Sequence, residues 1–361
     1  MPTVLIYIDS SLFLNGVLTQ AVRRKLEERN RIVSSVHYLN HNDNELIDLL
    51  QKILDEPGNF CIAASAEAYP IASRILATLN NDSLIATGET LHPATASRVE
   101  KNSFLMHLKE SAYNLLLVKS GESIPEILLE AGSPYAKWQL FGSKKYLHLL
   151  RQHSLDNHYR FEFFCLIEGW YEIHTDPASP LDSFLPYSED MILLPSANIF
   201  DACIEVLSDQ GERISFAESC TGGLIAASFT ARSGSSNILD GSVVSYANRI
   251  KHRWLEVDEE ILEDPGAVSS DCVKEMAEGA MKLSGSDIAL ATSGIAGPTG
   301  GTPFKPVGTV YIAVADREGT LTEHLFLKGD RNYIQYQAML HVIKLMLWRK
   351  KRNFEKFFKI S

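Results

Sequence analysis

Residues 213–231, RISFAESCTGGLIAASFTA, decide the fold of the C-terminal part of this chain. The stretch begins with an apolar run typical of a buried strand and ends with apolar residues at helical spacing. Between them, Glu218-Ser219-Cys220-Thr221-Gly222-Gly223 contains two adjacent glycines that let the backbone come close to a ligand. A strand that enters a helix through such a turn is typical of an α/β domain, and the helix N-terminus favours an anion. A serine or threonine before a helix is usually only a cap, so this motif alone is weak evidence for a site.

A second motif combines serines with candidate proton acceptors. Ser236 lies in Gly234-Ser235-Ser236, and Tyr246, Asn248 and Lys251 follow it along the chain. A serine hydroxyl becomes a strong nucleophile when a base removes its proton, and a lysine whose pKa is lowered by burial can be that base. A tyrosine can relay a proton or hold an oxyanion. Without other information, a turn serine and an exposed helix lysine would account for the same residues.

A third motif is the glycine-rich loop at 292–301, TSGIAGPTGG, which follows the apolar strand Ile288 to Ala291. Clustered glycines at a strand end predict a tight loop at the edge of the sheet where α/β proteins bind ligands. Its backbone N–H groups can hold a phosphate or an oxyanion, although a purely structural loop fits equally well. Arg331, in the Gly329-Asp330-Arg331 sequence before the last helix, can hold a phosphate through two N–H groups or be a surface charge.

The N-terminal part has the alternating pattern of strands and helices that predicts βαβ units on a parallel sheet. The predicted strands and helices are 3–9, 17–30, 32–39, 44–55, 59–64 and 70–79. From 111 to 174 the pattern changes to short strands, a helix near 123–131 and an aromatic-rich run, which indicates a small α+β module. Residues 174–190 are rich in proline, serine and aspartate and predict a linker. We therefore expect three domains, at 1–110, 111–175 and 190–352.

The overall composition is that of an ordinary globular protein. The chain has 361 residues and a net charge of −11, which argues against nucleic-acid binding because that function needs a basic face. The five cysteines are widely spaced, without the pattern of a zinc site, and are typical of reduced thiols in the cytoplasm. No signal-peptide pattern is present, and no apolar stretch approaches the roughly 18 residues of a membrane span. We expect a cytoplasmic protein without a metal or a membrane partner.

Taken together and in this order, the C-terminal motifs resemble the C-terminal domain of the CinA family (competence/damage-inducible protein), the nicotinamide-nucleotide amidase. No single motif is specific for this family, but the whole set of motifs in this order is. One departure is Ala247, where the family usually has serine. The segments that carry the resemblance are AESCTGG (217–223), GSS (234–236), Tyr246 with Asn248 and Lys251, GAVS (266–269), Met276-Ala277-x-Gly279, SGIAGPTGGT (293–302), KPVGTV (305–310) and GDR (329–331).

The resemblance implies hydrolysis of the carboxamide of nicotinamide mononucleotide to nicotinate mononucleotide and ammonia, without a metal or other cofactor, by a homodimer. The family's nucleophile is a serine, which we map onto Ser236, with Lys251 as the base and Tyr246 assisting it. Whether the phosphate lies at 221–223 or at 294–301 stays open. The expected substrate-binding residues are Glu218, Ser219, Thr221, Gly222, Gly223, Asn248, Ser293, Gly294, Gly297 and Arg331.

The N-terminal part also resembles that of full-length family members, which is a three-layer α/β/α molybdopterin-binding-like domain associated with ADP-ribose pyrophosphatase activity. That domain carries GTELLxG after its first strand and GGLGPTxDD after its third. Here those places contain Asp9 to Asn15 and Ala63 to Pro70, without the glycines that admit a nucleotide or the paired acids that hold a metal. We therefore expect a degenerate domain that serves as a scaffold or dimerisation unit, followed by the family's small connecting domain at 111–175.

Two alternatives to the amidase remain at this stage. The first is nucleotide pyrophosphatase activity of the N-terminal domain towards ADP-ribose, which needs metal ligands that the sequence does not reveal. The second is a non-catalytic nucleotide-binding or competence-associated protein. The serine, tyrosine, lysine, glycine and arginine residues that the C-terminal motifs retain argue against this second alternative.

Overall fold

The computed structural model of the chain separates into two compact units, Met1–Pro134 and Tyr135–Ser361. Most of the predicted linker, at 176–180 and 182–188, lies outside the described residues. Among the described helices, none is long and apolar enough to cross a membrane. The structure describes residues 3–29, 31, 33–42, 46–132, 136–157, 161–175, 181, 189–196 and 198–357.

The first unit has the βαβ pattern that the sequence predicts. Its elements are β1 (Thr3–Ile8), α1 (Ser10–Phe13), α2 (Gly16–Glu28), β2 (Val33–Leu39), α3 (Leu46–Leu54), β3 (Asn59–Ala64), α4 (Ala68–Leu79), β4 (Leu84–Thr87), β5 (Thr90–Pro93), β6 (Arg98–Glu100), β7 (Ser103–Leu108) and β8 (Ser111–Leu117). Within the described part, the main sheet has the strand order β2-β1-β3-β8-β7-β6. The first four strands in that order are parallel, and β7 and β6 add an antiparallel edge.

Helices cover both faces of this sheet. Ile6 and Ile62 face α3 and α4 in one buried cluster, and Leu5 and Cys61 face α2 in another. Because both faces are buried, strands β1 and β3 are nearly continuous apolar runs, as the sequence predicts for a parallel sheet. The arrangement confirms an α/β fold with three layers.

Strand β8 extends the first unit beyond residue 110, where the sequence predicts a domain boundary. It pairs with β3 on one side and β7 on the other, so it is an interior strand of the first unit. The prediction of a helix near 123–131 is wrong, since the structure has no helix in this segment. Its apolar residues Ile127, Leu128 and Leu129 pack on the sheet, and the backbone N–H of Leu128 donates to the Asn114 side chain at 2.6 Å. Tertiary packing therefore accounts for the apolar residues that suggested a helix.

The second unit contains two sheets within its described residues, in the orders β10-β11-β9-β12 and β14-β13-β15-β16-β17. The first is antiparallel; in the second, β14, β13 and β15 are parallel and β16 and β17 antiparallel. The elements are β9 (Ala136–Gly142), α5 (Lys145–Asn157), β10 (Phe161–Ile167), β11 (Trp170–Thr175), β12 (Met191–Leu194), α6 (Ile199–Gln210), β13 (Ile214–Glu218), α7 (Leu224–Thr230), β14 (Leu239–Val244), α8 (Asn248–Leu255), α9 (Glu259–Ile261), α10 (Ser270–Ser284), β15 (Ile288–Gly294), β16 (Thr309–Asp316), β17 (Gly319–Phe326), α11 (Arg331–Arg349) and α12 (Lys351–Phe357).

The five-stranded sheet of the described residues lies between two helical layers. Helices α6, α7 and α11 pack on one face, and α8 and α10 pack on the other. Phe141, Trp170 and Ile192 of the small antiparallel sheet belong to the same buried cluster as α6 and α11. The part of the predicted connecting module at 136–175 therefore shares one hydrophobic core with the C-terminal domain.

Helices α8 and α10 touch at Gly279. A Cβ atom at this position would lie 2.0 Å from the carbonyl oxygen of Leu255, the last residue of α8. Since that neighbour is backbone, only a shift of one helix could make room for it. The absence of a side chain at 279 therefore sets the distance between the two helices. Helix α8 also carries Lys251.

Gly279→Ala should destabilise the second unit by about 1–3 kcal/mol, because an added methyl group in a packed contact forces backbone shifts. The measurement is the urea midpoint of the full chain. Gly241→Ala is the matched control, since a Cβ at 241 meets nothing within 4 Å. Equal midpoints for the two variants would show that the close contact of α8 and α10 is not needed for stability.

Candidate active site

A cavity of about 210 Å³ lies at the carboxyl ends of the parallel strands β13, β14 and β15. The loops that follow these three strands meet at this edge, which is the usual ligand edge of an open α/β sheet. The cavity unites residues from all three sequence motifs. Its polar lining includes Ser219, Tyr246, Asn248, Lys251, Ser293 and Arg331.

Lys251 and Ser219 lie beside each other in the lining of the cavity. The Lys251 side chain is buried, with 1% of the residue exposed, and its Nζ lies 3.0 Å from Ser219 Oγ. Nζ also donates to the carbonyl oxygen of Ser245 at 2.7 Å. Burial lowers the pKa of Lys251, and the nearby Cys272 and Cys220 thiols oppose this shift. A lysine with a lowered pKa beside a serine hydroxyl is the arrangement in which the amine can take the hydroxyl proton.

Ser236 lies at the opposite edge of the sheet. It is exposed, precedes β14, and its carbonyl oxygen accepts from Arg213 at the start of β13 at 3.2 Å. Strand β13 is five residues long and separates the two edges by roughly 15 Å. The structure therefore does not bring Ser236 together with Tyr246 and Lys251, contrary to the sequence-based assignment, and Ser219 lies beside the lysine instead.

Glu218 holds the turn before α7 rather than facing the cavity. Its carboxylate is 0% exposed and accepts from the backbone N–H groups of Gly223 at 2.9 Å, Ile225 at 3.1 Å and Ala226 at 2.9 Å. Thr221 is also buried and shares a 2.8 Å hydrogen bond with the Thr292 hydroxyl. Contrary to the prediction that both residues contact the substrate, their side chains fix the backbone that carries Ser219.

The glycines of the two loops allow turns and close packing. Gly222 and Gly223 have φ of 64° and 101°, in the left-handed region that favours glycine. A Cβ at Gly294 would lie 2.8 Å from the Thr309 carbonyl oxygen, and one at Gly297 would lie 2.6 Å from Val307. Gly294 lines the cavity, so this loop shapes the cavity wall through its close contact with β16.

Arg331 connects two loops at the mouth of the cavity. Its guanidinium donates to the Tyr246 hydroxyl oxygen at 2.8 Å and to the carbonyl oxygen of Gly297 at 2.7 Å. The Tyr246 residue is 62% exposed, and Arg331 is exposed as well. A guanidinium has five N–H donors, so donors remain for a ligand besides these two contacts. The pair therefore lies on the solvent-exposed side of the cavity.

Ser293 and Asn248 complete the polar lining. Ser293 is buried and donates to the carbonyl oxygen of Ala267 at 2.6 Å, which joins β15 to the loop before α10. Asn248 is exposed at the first residue of α8, and the N-cap residue Ala247 has no side-chain capping hydrogen bond. A serine at 247, which the resemblance leads one to expect, would supply such a cap.

The sequence contained a signal that distinguishes Ser219 from Ser236. Ser219 follows β13 and Lys251 follows β14, whereas Ser236 precedes β14. In neighbouring parallel strands the residues after each strand meet at one edge, and a residue before a strand lies at the other. The serine of the ESCTGG turn is therefore the one that topology brings to the lysine.

Comparison with known proteins supports the C-terminal resemblance. Residues 197–349 match the family model described as the CinA C-terminal domain. A CinA-like protein from Fervidobacterium nodosum is 42% identical over 173 residues, which are 48% of this chain and 42% of the relative. A CinA-like protein from Geobacter metallireducens is 47% identical over 144 residues, which are 40% of this chain and 34% of the relative.

This chain belongs to the CinA family. Among solved structures, the competence/damage inducible protein CihA from Agrobacterium tumefaciens is 36% identical, with a TM-score of 0.41, over 41% of this chain and 92% of that one. The chain spans less than half the length of the two CinA-like proteins from Fervidobacterium and Geobacter. Family membership thus rests on the C-terminal segment, which contains the cavity.

Glu218→Gln should lower the free energy of unfolding by about 1–3 kcal/mol, because the amide nitrogen of glutamine cannot accept from the backbone donors that the carboxylate serves. The urea midpoint checks this. Glu205→Gln, at an exposed position of α6, is the control and should change stability by no more than about 0.5 kcal/mol. If the two variants were equally stable, Glu218 would not have the structural role inferred from its contacts.

Proposed function

We propose that the second unit is an amidase that hydrolyses the carboxamide of nicotinamide mononucleotide, with Ser219 as the nucleophile and Lys251 as the general base. The single observation that supports this best is the 3.0 Å separation of Lys251 Nζ and Ser219 Oγ in a cavity. The choice of substrate comes from the family resemblance. The amide chemistry fits a serine activated by a buried amine.

The reaction proceeds in two halves. Ser219 Oγ attacks the carboxamide carbon while Lys251 Nζ takes the hydroxyl proton. The tetrahedral intermediate then collapses, the C–N bond breaks, and the Lys251 ammonium returns its proton to the leaving nitrogen, which departs as ammonia. Water attacks the resulting ester with Lys251 again as base, which releases nicotinate mononucleotide and restores Ser219. In this scheme no step needs a metal ion.

The cavity mouth suits the charged end of the nucleotide. Arg331 keeps N–H donors beyond its contacts with Tyr246 and Gly297, and a guanidinium binds phosphate with two parallel hydrogen bonds. The Tyr246 hydroxyl, held by Arg331, assists proton transfer at the entrance. The homodimer that the resemblance implies remains a prediction beside this proposal.

Ser219→Ala should reduce ammonia release from nicotinamide mononucleotide by at least about 10³-fold, since removal of a nucleophile eliminates the covalent route. The assay uses the full chain with a chelator present, which the proposed chemistry tolerates. Ser236→Ala is the matched control and should retain wild-type activity, because Ser236 is exposed at the far edge of the sheet. Loss of activity in Ser236→Ala with full activity in Ser219→Ala would refute the proposal.

The pH dependence follows from Lys251. A general base must be deprotonated, so kcat/KM should rise with pH through the pKa of Lys251 and level off above it. Because burial lowers that pKa, the midpoint of the rise should lie below the usual lysine value of about 10.4. Lys251→Met should remove the activity. Lys274→Met, at an exposed position of α10, should leave the profile unchanged. A rate that does not depend on pH below 10.4 would contradict this role of Lys251.

A further inference from the structure

The first unit brings together three side chains that are far apart in the sequence. Asp9 follows β1, His41 lies just after β2, and Glu67 lies in the turn between β3 and α4. These strands are parallel neighbours in the order β2-β1-β3, so the three residues share the carboxyl edge of the sheet. One ligand atom from each lies within 4.8 Å of the others. This is the edge at which open α/β sheets bind ligands.

Asp9 is held as a buried carboxylate. The residue is 5% exposed, and its carboxylate accepts from the Ser65 hydroxyl at 2.6 Å and from the backbone N–H of Ser11 at 2.9 Å. These two hydrogen bonds fix the direction of the carboxylate, as a metal ligand requires.

His41 faces this carboxylate without forming a hydrogen bond to it. Its Nδ1 lies 2.9 Å from Asp9 Oδ2, yet this buried nitrogen has no hydrogen-bond partner. Metal–ligand bonds of about 2.0–2.2 Å place two ligands of one ion roughly 3 Å apart. The 2.9 Å distance is that of an ion pair, and it is also the distance at which a nitrogen and an oxygen can share one ion.

Glu67 supplies a third oxygen with freedom to move. Its Oε2 lies 3.5 Å from His41 Nε2, and its side chain is 78% exposed. Because the side chain is exposed, it can turn towards an ion held by Asp9 and His41 without disturbing the core. The remaining coordination positions would face solvent at the sheet edge, where water or a phosphate oxygen can occupy them.

We propose that Asp9, His41 and Glu67 bind one divalent transition-metal ion, of the class that accepts imidazole together with carboxylate, such as Zn²⁺, Co²⁺ or Mn²⁺. The first unit then has a ligand site of its own, although it lacks the glycine and paired-acid motifs of its family resemblance. The site uses no residue of the proposed amidase site. The failure of either proposal therefore leaves the other standing.

The test is a titration of the chelator-treated and dialysed full chain with Zn²⁺ by calorimetry, and with Co²⁺ by its visible absorption. One ion should bind per chain, and saturating Zn²⁺ should raise the melting temperature of the wild type. His41→Ala should weaken binding by at least about 100-fold, and Glu67→Gln by about tenfold, on the scale typical of altered metal sites. His107→Ala, at an exposed position of β7, is the control and should bind as the wild type does.

Two results would contradict the proposed metal site. If no stoichiometric ion binds, or if His41→Ala and Glu67→Gln both bind with wild-type affinity, His41 is only a bridge between two carboxylates and the metal site does not exist. Glu67 lies at the surface, so Glu67→Gln keeps the test valid even if replacement of His41 disturbs the fold. Unchanged ammonia release in all of these variants is expected in either case, because the amidase residues are untouched.

Discussion

The buried carboxylate of Glu218 is the contact on which the second unit depends. A carboxylate removed from water is stable inside a protein only when its oxygens are hydrogen-bonded, and here three backbone N–H groups at the start of α7 serve that purpose. The negative charge also lies at the positive end of the helix dipole. The consequence is a fixed turn between β13 and α7. The backbone position of Ser219, the next residue, is therefore fixed with the turn.

The lysine opposite is held by the same packing that lowers its pKa. Lys251 is buried because α8 lies close to α10, where Gly279 leaves room for the Leu255 carbonyl group. Burial disfavours the ammonium form, so a free amine becomes accessible at lower pH. A change that loosened this packing would hydrate the amine and raise its pKa again. The stability of the α8–α10 contact and the lowered pKa of Lys251 therefore depend on the same packing.

The sequence predicted most of the elements but only part of the site. Apolar periodicity and the positions of the glycines predict strand β13, helix α7 and the loop after β15. All three lie close to their expected positions. The helix expected near 123–131 does not form, because Ile127, Leu128 and Leu129 are apolar to suit a sheet face. In a sequence, polar residues such as Glu218 and Thr221 suggest contacts with a substrate. In the structure, the Glu218 side chain bonds to the turn and the Thr221 side chain bonds to Thr292 of β15.

Ser236 shows that separation along the chain does not predict separation in space. It is nearer to Lys251 along the chain than Ser219 is, yet β14 runs between Ser236 and the lysine and carries them to opposite edges. The same geometry operates in the first unit, where Asp9, His41 and Glu67 follow three different strands and meet at one edge. In a parallel sheet, position relative to the nearest strand end is thus a better guide to spatial neighbours than separation in sequence. Residues that follow strands are accordingly the ones to compare first when a site is sought in either unit.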